Sequence, residues 1–172
     1  MTTTKLVGHE HAAVAKAMNL PVSTKHCIEM STCLRNRDIT FAKKFLNGVI
    51  KGEQAVAFLR FRRNVGHKAG MATGRFPLKA AKEFLRLLNA VEANAQTKGL
   101  NTSNLSIIKI LANRAPNPRT GGRLGRGTKR THLEVMVAES TKSLAKAKKP
   151  TLEKPTLKSA EKKTHRSEDN TP

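Results

Sequence analysis

With 172 residues, 33 Lys and Arg against 12 Asp and Glu, and a formal net charge of +21, the chain is expected to be one ordinary domain plus something extra, or two very small ones. A surface that positive repels itself unless a polyanion is near, so nucleic acid or an acidic membrane is the first partner to consider. No stretch has the apolar length of a membrane span, and the opening MTTTKLVGHEH lacks an apolar signal core, so no membrane is expected and the chain should stay where it is made.

The first 22 residues are expected to form an N-terminal arm, with HAAVAKAMNLP either a short helix or irregular, ending at Pro21. From Ser23 a helix is expected that carries Cys27, Ile28, Met30, Ser31 and Leu34, with Ser23 as its cap. Asp38 caps a clearer one whose Ile39, Ala42, Phe45, Leu46, Val49 and Ile50 share a stripe, ending near Gly52. AVAFLRF (55–61) suits an extended edge segment, and RRNVGHKAGMATGRFP (62–77) a long basic loop. Pro77 suits the first turn of the longest helix, about 77–98, striped by Phe76, Ala80, Phe84, Leu87, Leu88, Val91 and Ala95 and stopped by Gly99.

A hairpin follows, over about 105–138. LSIIKIL (105–111) is apolar on both faces, which predicts that helices cover part of it. HLEVMVA alternates, with Leu133, Val135 and Val137 on one face and His132, Glu134 and Met136 on the other. Between the arms lies NPRTGGRLGRGTKR (117–130), with five basic residues, four glycines and no acid or aromatic ring. Residues 140–172 hold nine basic and four acidic residues, three prolines and few large aliphatics, so they predict a Lys-rich tail, disordered when free. Residues 1–138 still carry 24 basic against seven acidic residues, a net +17, so the charge belongs to the folded part.

Few features point to catalysis. Gly122–Lys129 imitates a phosphate-binding loop, but Thr128–Lys129 reverses the required order and a strand follows where a helix should begin. His26, Cys27 and Cys33 complete no zinc pattern, and the two cysteines, on different helix faces, are expected as reduced thiols. The acids Glu29, Asp38, Glu53, Glu83, Glu92 and Glu134 are scattered, Asp38 reading as a cap and Glu134 as a strand-face residue. No enzyme, metal, cofactor or small-molecule substrate is therefore expected.

Two basic clusters say more: Arg60, Arg62, Arg63, His67, Lys68 and Arg75 before the long helix, and Arg114, Arg119, Arg123, Arg126, Lys129 and Arg130 in the hairpin. Guanidinium forks fit phosphate oxygens in pairs. With no Trp or Tyr, and six Phe that mostly fit apolar stripes, stacking of single strands is disfavoured, as is sequence readout on DNA. Binding through backbone and shape remains, which suits structured RNA.

AKAM (15–18), STKH (23–26), VIKGEQAV (49–56), VGHK (65–68), GRFPLKAAKEFLRLL (74–88), EANAQTKGL (92–100) and NRAP (113–116), taken in order, resemble the universal large-subunit ribosomal protein family numbered twenty-two in bacteria and seventeen in eukaryotes. VGHK followed by Gly-Arg-aromatic-Pro is similar to its archaeal and eukaryotic branch. The resemblance covers about residues 15–139 and implies an α+β fold, with three helices packed on a small three-stranded antiparallel sheet and two strands extended into a long hairpin. Residues 23–139 would be the globular RNA-binding domain. It further implies a structural role in the large subunit, contact with its RNA, with neighbouring ribosomal proteins and with the nascent polypeptide, a cytoplasmic ribosomal location and no homo-oligomer. Lys25, His26 and Lys79, in matched stretches, join the two clusters as expected RNA contacts. The tip Asn117, Pro118, Arg119, Thr120, Gly121, Gly122, Arg123 and Leu124 would line the peptide exit tunnel. Here only Asn117 and Pro118 separate Arg-Ala-Pro from Arg-Thr-Gly-Gly-Arg, a shorter tip than that family carries, and the tail has no counterpart. The competing expectation is a free RNA chaperone or nucleoid-type binder outside the ribosome.

Overall fold

The computed structural model describes residues 12–119, 121, 122, 125 and 127–139. Residues 1–11 of the expected arm, Thr120, Arg123 and Leu124 of the expected tip, Arg126 of the basic hairpin cluster, and the whole tail from 140 lie outside the described residues. In chain order the elements are β1 (Ala12–Leu20), α1 (Thr24–Leu34), α2 (Ile39–Lys51), β2 (Val56–Ala57), β3 (Gly74–Arg75), α3 (Leu78–Thr97), a 3-10 turn at Thr102–Asn104, β4 (Leu105–Arg114) and β5 (Thr131–Glu139). Strands β1, β5 and β4 form an antiparallel sheet with β5 in the centre, and β2 and β3 pair separately.

The first element corrects the sequence reading: residues 12–20 are a sheet strand, neither helix nor irregular arm. Alanine-rich sequence favours a helix when nothing else decides. Here Ala13, Ala15 and Ala17 pair with Val137, Val135 and Leu133, and Ala13 and Ala15 are buried in the core. Their small side chains leave room for α3, so tertiary packing overrides propensity. Asn94 donates to the Val14 carbonyl (3.0 Å) and the Lys98 ammonium to that of Ala12 (2.8 Å), so α3 also satisfies acceptors of β1.

Strand β4 shows why its sequence is apolar on both faces. Ile107 pairs with Val137 but Lys109 pairs with Met136, so Ile108 is an extra, bulged residue. The bulge shifts the phase of alternation, and Ile107 and Ile110 both reach the core while Ile108 and Leu111 are half-buried. The α1–α2 turn binds here: the Asn36 amide donates to Ile107 (3.0 Å) and the Ile107 amide to Arg37 (2.9 Å).

The helices follow their stripes. Ile39, Ala42, Leu46 and Val49 of α2 and Ala80, Phe84, Leu87, Leu88, Val91 and Ala95 of α3 are buried. Gly52 and Gly99 take left-handed φ of 84° and 71° where α2 and α3 end. Ser23 and Asp38 occupy N-cap positions, yet neither side chain makes a capping hydrogen bond; the Asp38 backbone instead bridges to Ser106. The expected extended segment 55–61 contributes only Val56 and Ala57 to a strand, whose partner, β3, lies inside the expected loop.

Candidate nucleic-acid interface

One buried acid organises the basic end of the molecule. Glu29, on α1, is 2% exposed, and its carboxylate accepts the backbone amides of Leu59 (3.2 Å), Arg60 (3.0 Å) and Phe61 (2.6 Å). Three successive amides around one anion form a nest. The next residue, Arg62, has φ of 57°, a left-handed conformation costly for a side chain of that size. Phe58, fully buried, ties the loop down from the other side, exchanging hydrogen bonds with Thr73 (3.1 and 2.7 Å). Sequence reasoning placed Glu29 among scattered acids; the missed signal was an acid between Cys27 and Met30, both on the buried stripe of α1.

The hairpin base is fixed by a second buried polar group. The Thr131 hydroxyl, fully buried, donates to the Val22 carbonyl (3.0 Å) and lies 2.9 Å from that of Thr24. Arg130 donates to Asn19 (3.1 Å), and the Asn19 amide to His132 Nδ1 (3.0 Å). The start of α1, the end of β1 and the start of β5 therefore form one joint. Beyond it the hairpin stays narrow: Ala115 donates to Arg130 (3.1 Å), Pro118 accepts from the amide and hydroxyl of Thr128, and Arg119 bridges to Gly127. Of the expected tip, Asn117, Pro118, Arg119, Gly121 and Gly122 are described and all are exposed.

These supports bring residues from three segments around one open pocket of about 450 Å³: Lys25 and His26 from the first turn of α1, Arg62 from the stapled loop, and Arg114, Lys129 and Arg130 from the hairpin base. Ile28 and Phe61 form apolar parts of its wall. A smaller recess, about 390 Å³, gathers His67, Lys68 and Arg75 against Phe76, with the Lys68 ammonium 5.6 Å from the ring centre. Arg60 stands over the Phe61 ring at 5.4 Å and Lys25 at 5.7 Å. Arg63 turns back, its Nε donating to the Leu59 carbonyl (2.6 Å). Lys79, in the first turn of α3, lines neither recess.

Charge is segregated. Among the described residues the ion pairs are Lys16–Glu134, Lys43–Glu92 and Arg86–Glu83, none of which involves a cation of the two recesses. The imidazole of His26 feels the result: burial, then the charges of Arg62, Lys129 and Arg75, hold its pKa below the ordinary 6.5. Cys27 and Cys33 are free thiols; burial pushes Cys27 up to about 12 and also raises Cys33. No group of three or more His, Cys, Asp or Glu among the described residues is arranged to hold a metal, and no described helix is long and apolar enough to cross a membrane. The arrangement presents fixed cations, unpaired with any acid among the described residues, around concave surfaces, which is the chemistry of phosphate binding.

Comparison with known proteins gives the chain's relatives. Residues 15–138 match the family described as Ribosomal protein L22p/L17e. The chain is 42% identical over 139 residues to the large ribosomal subunit protein uL22 of Methanoculleus marisnigri, covering 76% of this chain and 91% of that protein. It is 40% identical over 142 residues to the protein of the same name from Ignicoccus hospitalis, covering 76% and 89%. The Nanoarchaeum equitans uL22 is 40% identical over 144 residues, covering 78% and 82%.

Proposed function

The chain belongs to the ribosomal protein L22p/L17e family, in its archaeal-type branch, and from that membership we propose how it serves the large ribosomal subunit. It is a structural constituent of that subunit, not an enzyme, and binds large-subunit ribosomal RNA through the basic end of the domain. Arg62, Arg114, Lys129 and Arg130, with Lys25, neutralise phosphates brought together by RNA folding. His67, Lys68 and Arg75 engage a second stretch of backbone. The hairpin carries Arg119 and the tip onward into the RNA, where residues 117–124 contribute to the wall of the nascent-peptide tunnel. Neighbouring ribosomal proteins and the growing polypeptide are its further partners, in the cytoplasm.

The observation that carries this reading is the convergence of unpaired cations from three segments on one pocket, held by buried polar groups. A folded protein tolerates such repulsion when a polyanion supplies the counter-charge. Binding should therefore fall steeply with salt, because each neutralised phosphate releases counterions. The test is a salt titration of binding to folded large-subunit RNA, together with sedimentation of washed subunits. Stoichiometric retention in the subunits and a steep salt slope are expected. Affinity independent of salt would overturn the mechanism, and complete loss from subunits in a high-salt wash would point to a free RNA chaperone. For the tunnel, a photocrosslinker at Arg119 should label a nascent chain in stalled ribosomes; labelling of RNA alone would remove that part of the reading.

A further inference from the structure

The larger pocket has more structure than phosphate neutralisation requires. Its volume of about 450 Å³ falls within the ~300–1,000 Å³ of pockets that enclose a small ligand, larger than one phosphate needs. Its walls are of two kinds. Ile28 and Phe61 are apolar, while Lys25, Arg62, Arg114, Lys129 and Arg130 are cationic. A cleft for phosphates alone has no use for the apolar part, and an apolar groove would not collect five guanidinium and ammonium groups. A ligand that is both a flat ring and an anion uses both.

Three further features fit such a ligand. Ser23, at the N-cap of α1, makes no capping hydrogen bond with its side chain, and Ser23, Thr24, Lys25 and His26 border the pocket, so the positive end of the helix lies on the side where the cations gather. Arg130 lines the pocket with its Nη1 anchored on the Asn19 carbonyl (3.1 Å), which holds the guanidinium in place at the rim. His26, packed edge-on against Phe58 with ring centres 5.4 Å apart, has its pKa lowered and so faces the pocket as a neutral ring at neutral pH.

We propose that this pocket holds a single unpaired nucleotide extruded from the ribosomal RNA, its base against Ile28 and Phe61 and its phosphate on the cationic rim. A continuous duplex presents a convex row of phosphates and would touch the rim alone; only an extruded nucleotide fills the concavity. The inference rests on the RNA-binding reading above and deepens it, from backbone recognition to a site for one unstacked base.

The experiment uses the full chain and two RNA stems, identical except that one carries a single bulged 2-aminopurine and the other is fully paired. The bulged stem should bind about tenfold tighter, the scale of one base packed on a ring, with a change in 2-aminopurine fluorescence. Phe61→Ala should erase that preference while keeping the salt dependence. Should that variant fail to fold, Ile28→Gln, which sets an uncharged polar side chain on the apolar wall at a half-buried position, makes the same test. Equal affinity for both stems in the unaltered protein overturns the pocket but leaves general RNA binding standing, as does a preference that a folded variant retains. Failure to bind either stem or the ribosomal RNA overturns both.

Discussion

The two ends of this domain are held together by different physics. Where α3 lies on β1 and β5, cohesion is apolar: Ala13, Ala15, Phe84, Leu88 and Val91 pack in the core, and Lys16, Lys43 and Arg86 have found acids. Where α1 meets the hairpin base, cohesion runs through buried polar groups, Glu29 under the 59–61 turn and Thr131 against Val22, while the cations around them have no acid partner among the described residues. The first end makes the molecule stable. The second spends part of that stability to hold charges in a fixed array, so stability and binding should separate by residue.

Phe84→Ala should break the comparison from the apolar side. A fully buried ring is removed from the centre of α3, at a cost of about 3–5 kcal/mol in denaturant unfolding. RNA binding should fail only as far as the protein unfolds. Glu29→Gln should be smaller and act on both properties. It removes the charge from a buried acceptor of three amides, costing about 1–3 kcal/mol. RNA affinity should fall further than the unfolded fraction explains, because the 59–61 nest positions Arg62; an affinity loss matching the unfolded fraction would count against that role. The double variant Arg62→Ala, Lys129→Ala sharpens the contrast from the other side. It should leave the denaturation midpoint unchanged or raise it slightly, since two mutually repelling charges are gone, and flatten the salt slope of RNA binding by about 0.7–0.9 per lost phosphate contact.

The smallest effect is a pH dependence. The folded pKa of His26 lies below its unfolded value of 6.5, so as pH falls through 6.5 the unfolded chain takes up the proton first. The stability contributed by this group is complete above 6.5 and drains away as pH drops toward the lowered folded value. Denaturation of the protein and of His26→Gln at pH 7.5 and 5.5 checks it: the unaltered protein should lose more on acidification.

Periodicity in the sequence identified α2 and α3 because their stripes, such as Ala80, Phe84, Leu87, Val91 and Ala95, are long enough for 3.6-residue spacing to be unambiguous. Strand β5 was readable for the same reason at period two. What escaped depends on partners distant in the chain. Ala13 and Ala15 lie in a strand because β5, more than a hundred residues away, and α3 accept them. The bulge at Ile108 appears locally only as a run of apolar residues. The two basic clusters could be picked out by composition, but their meeting with Lys25 and His26 around one pocket could not, since the joints that bring them together are Glu29 with residues 59–61 and Thr131 with Val22. An acid in a helix and a threonine opening a strand carry no local mark of that role.

The side chains of Asn94 and Lys98 on the carbonyls of β1, and the Asn36–Arg37 backbone against Ile107, have a consequence for the protein before it meets RNA. A newly made copy waiting to be built into a particle is crowded by others like it, and open sheet borders would let them polymerise laterally, strand upon strand. At these positions the outermost strands already have their hydrogen-bonding groups satisfied within the molecule, which blunts those stretches of edge as templates for lateral pairing.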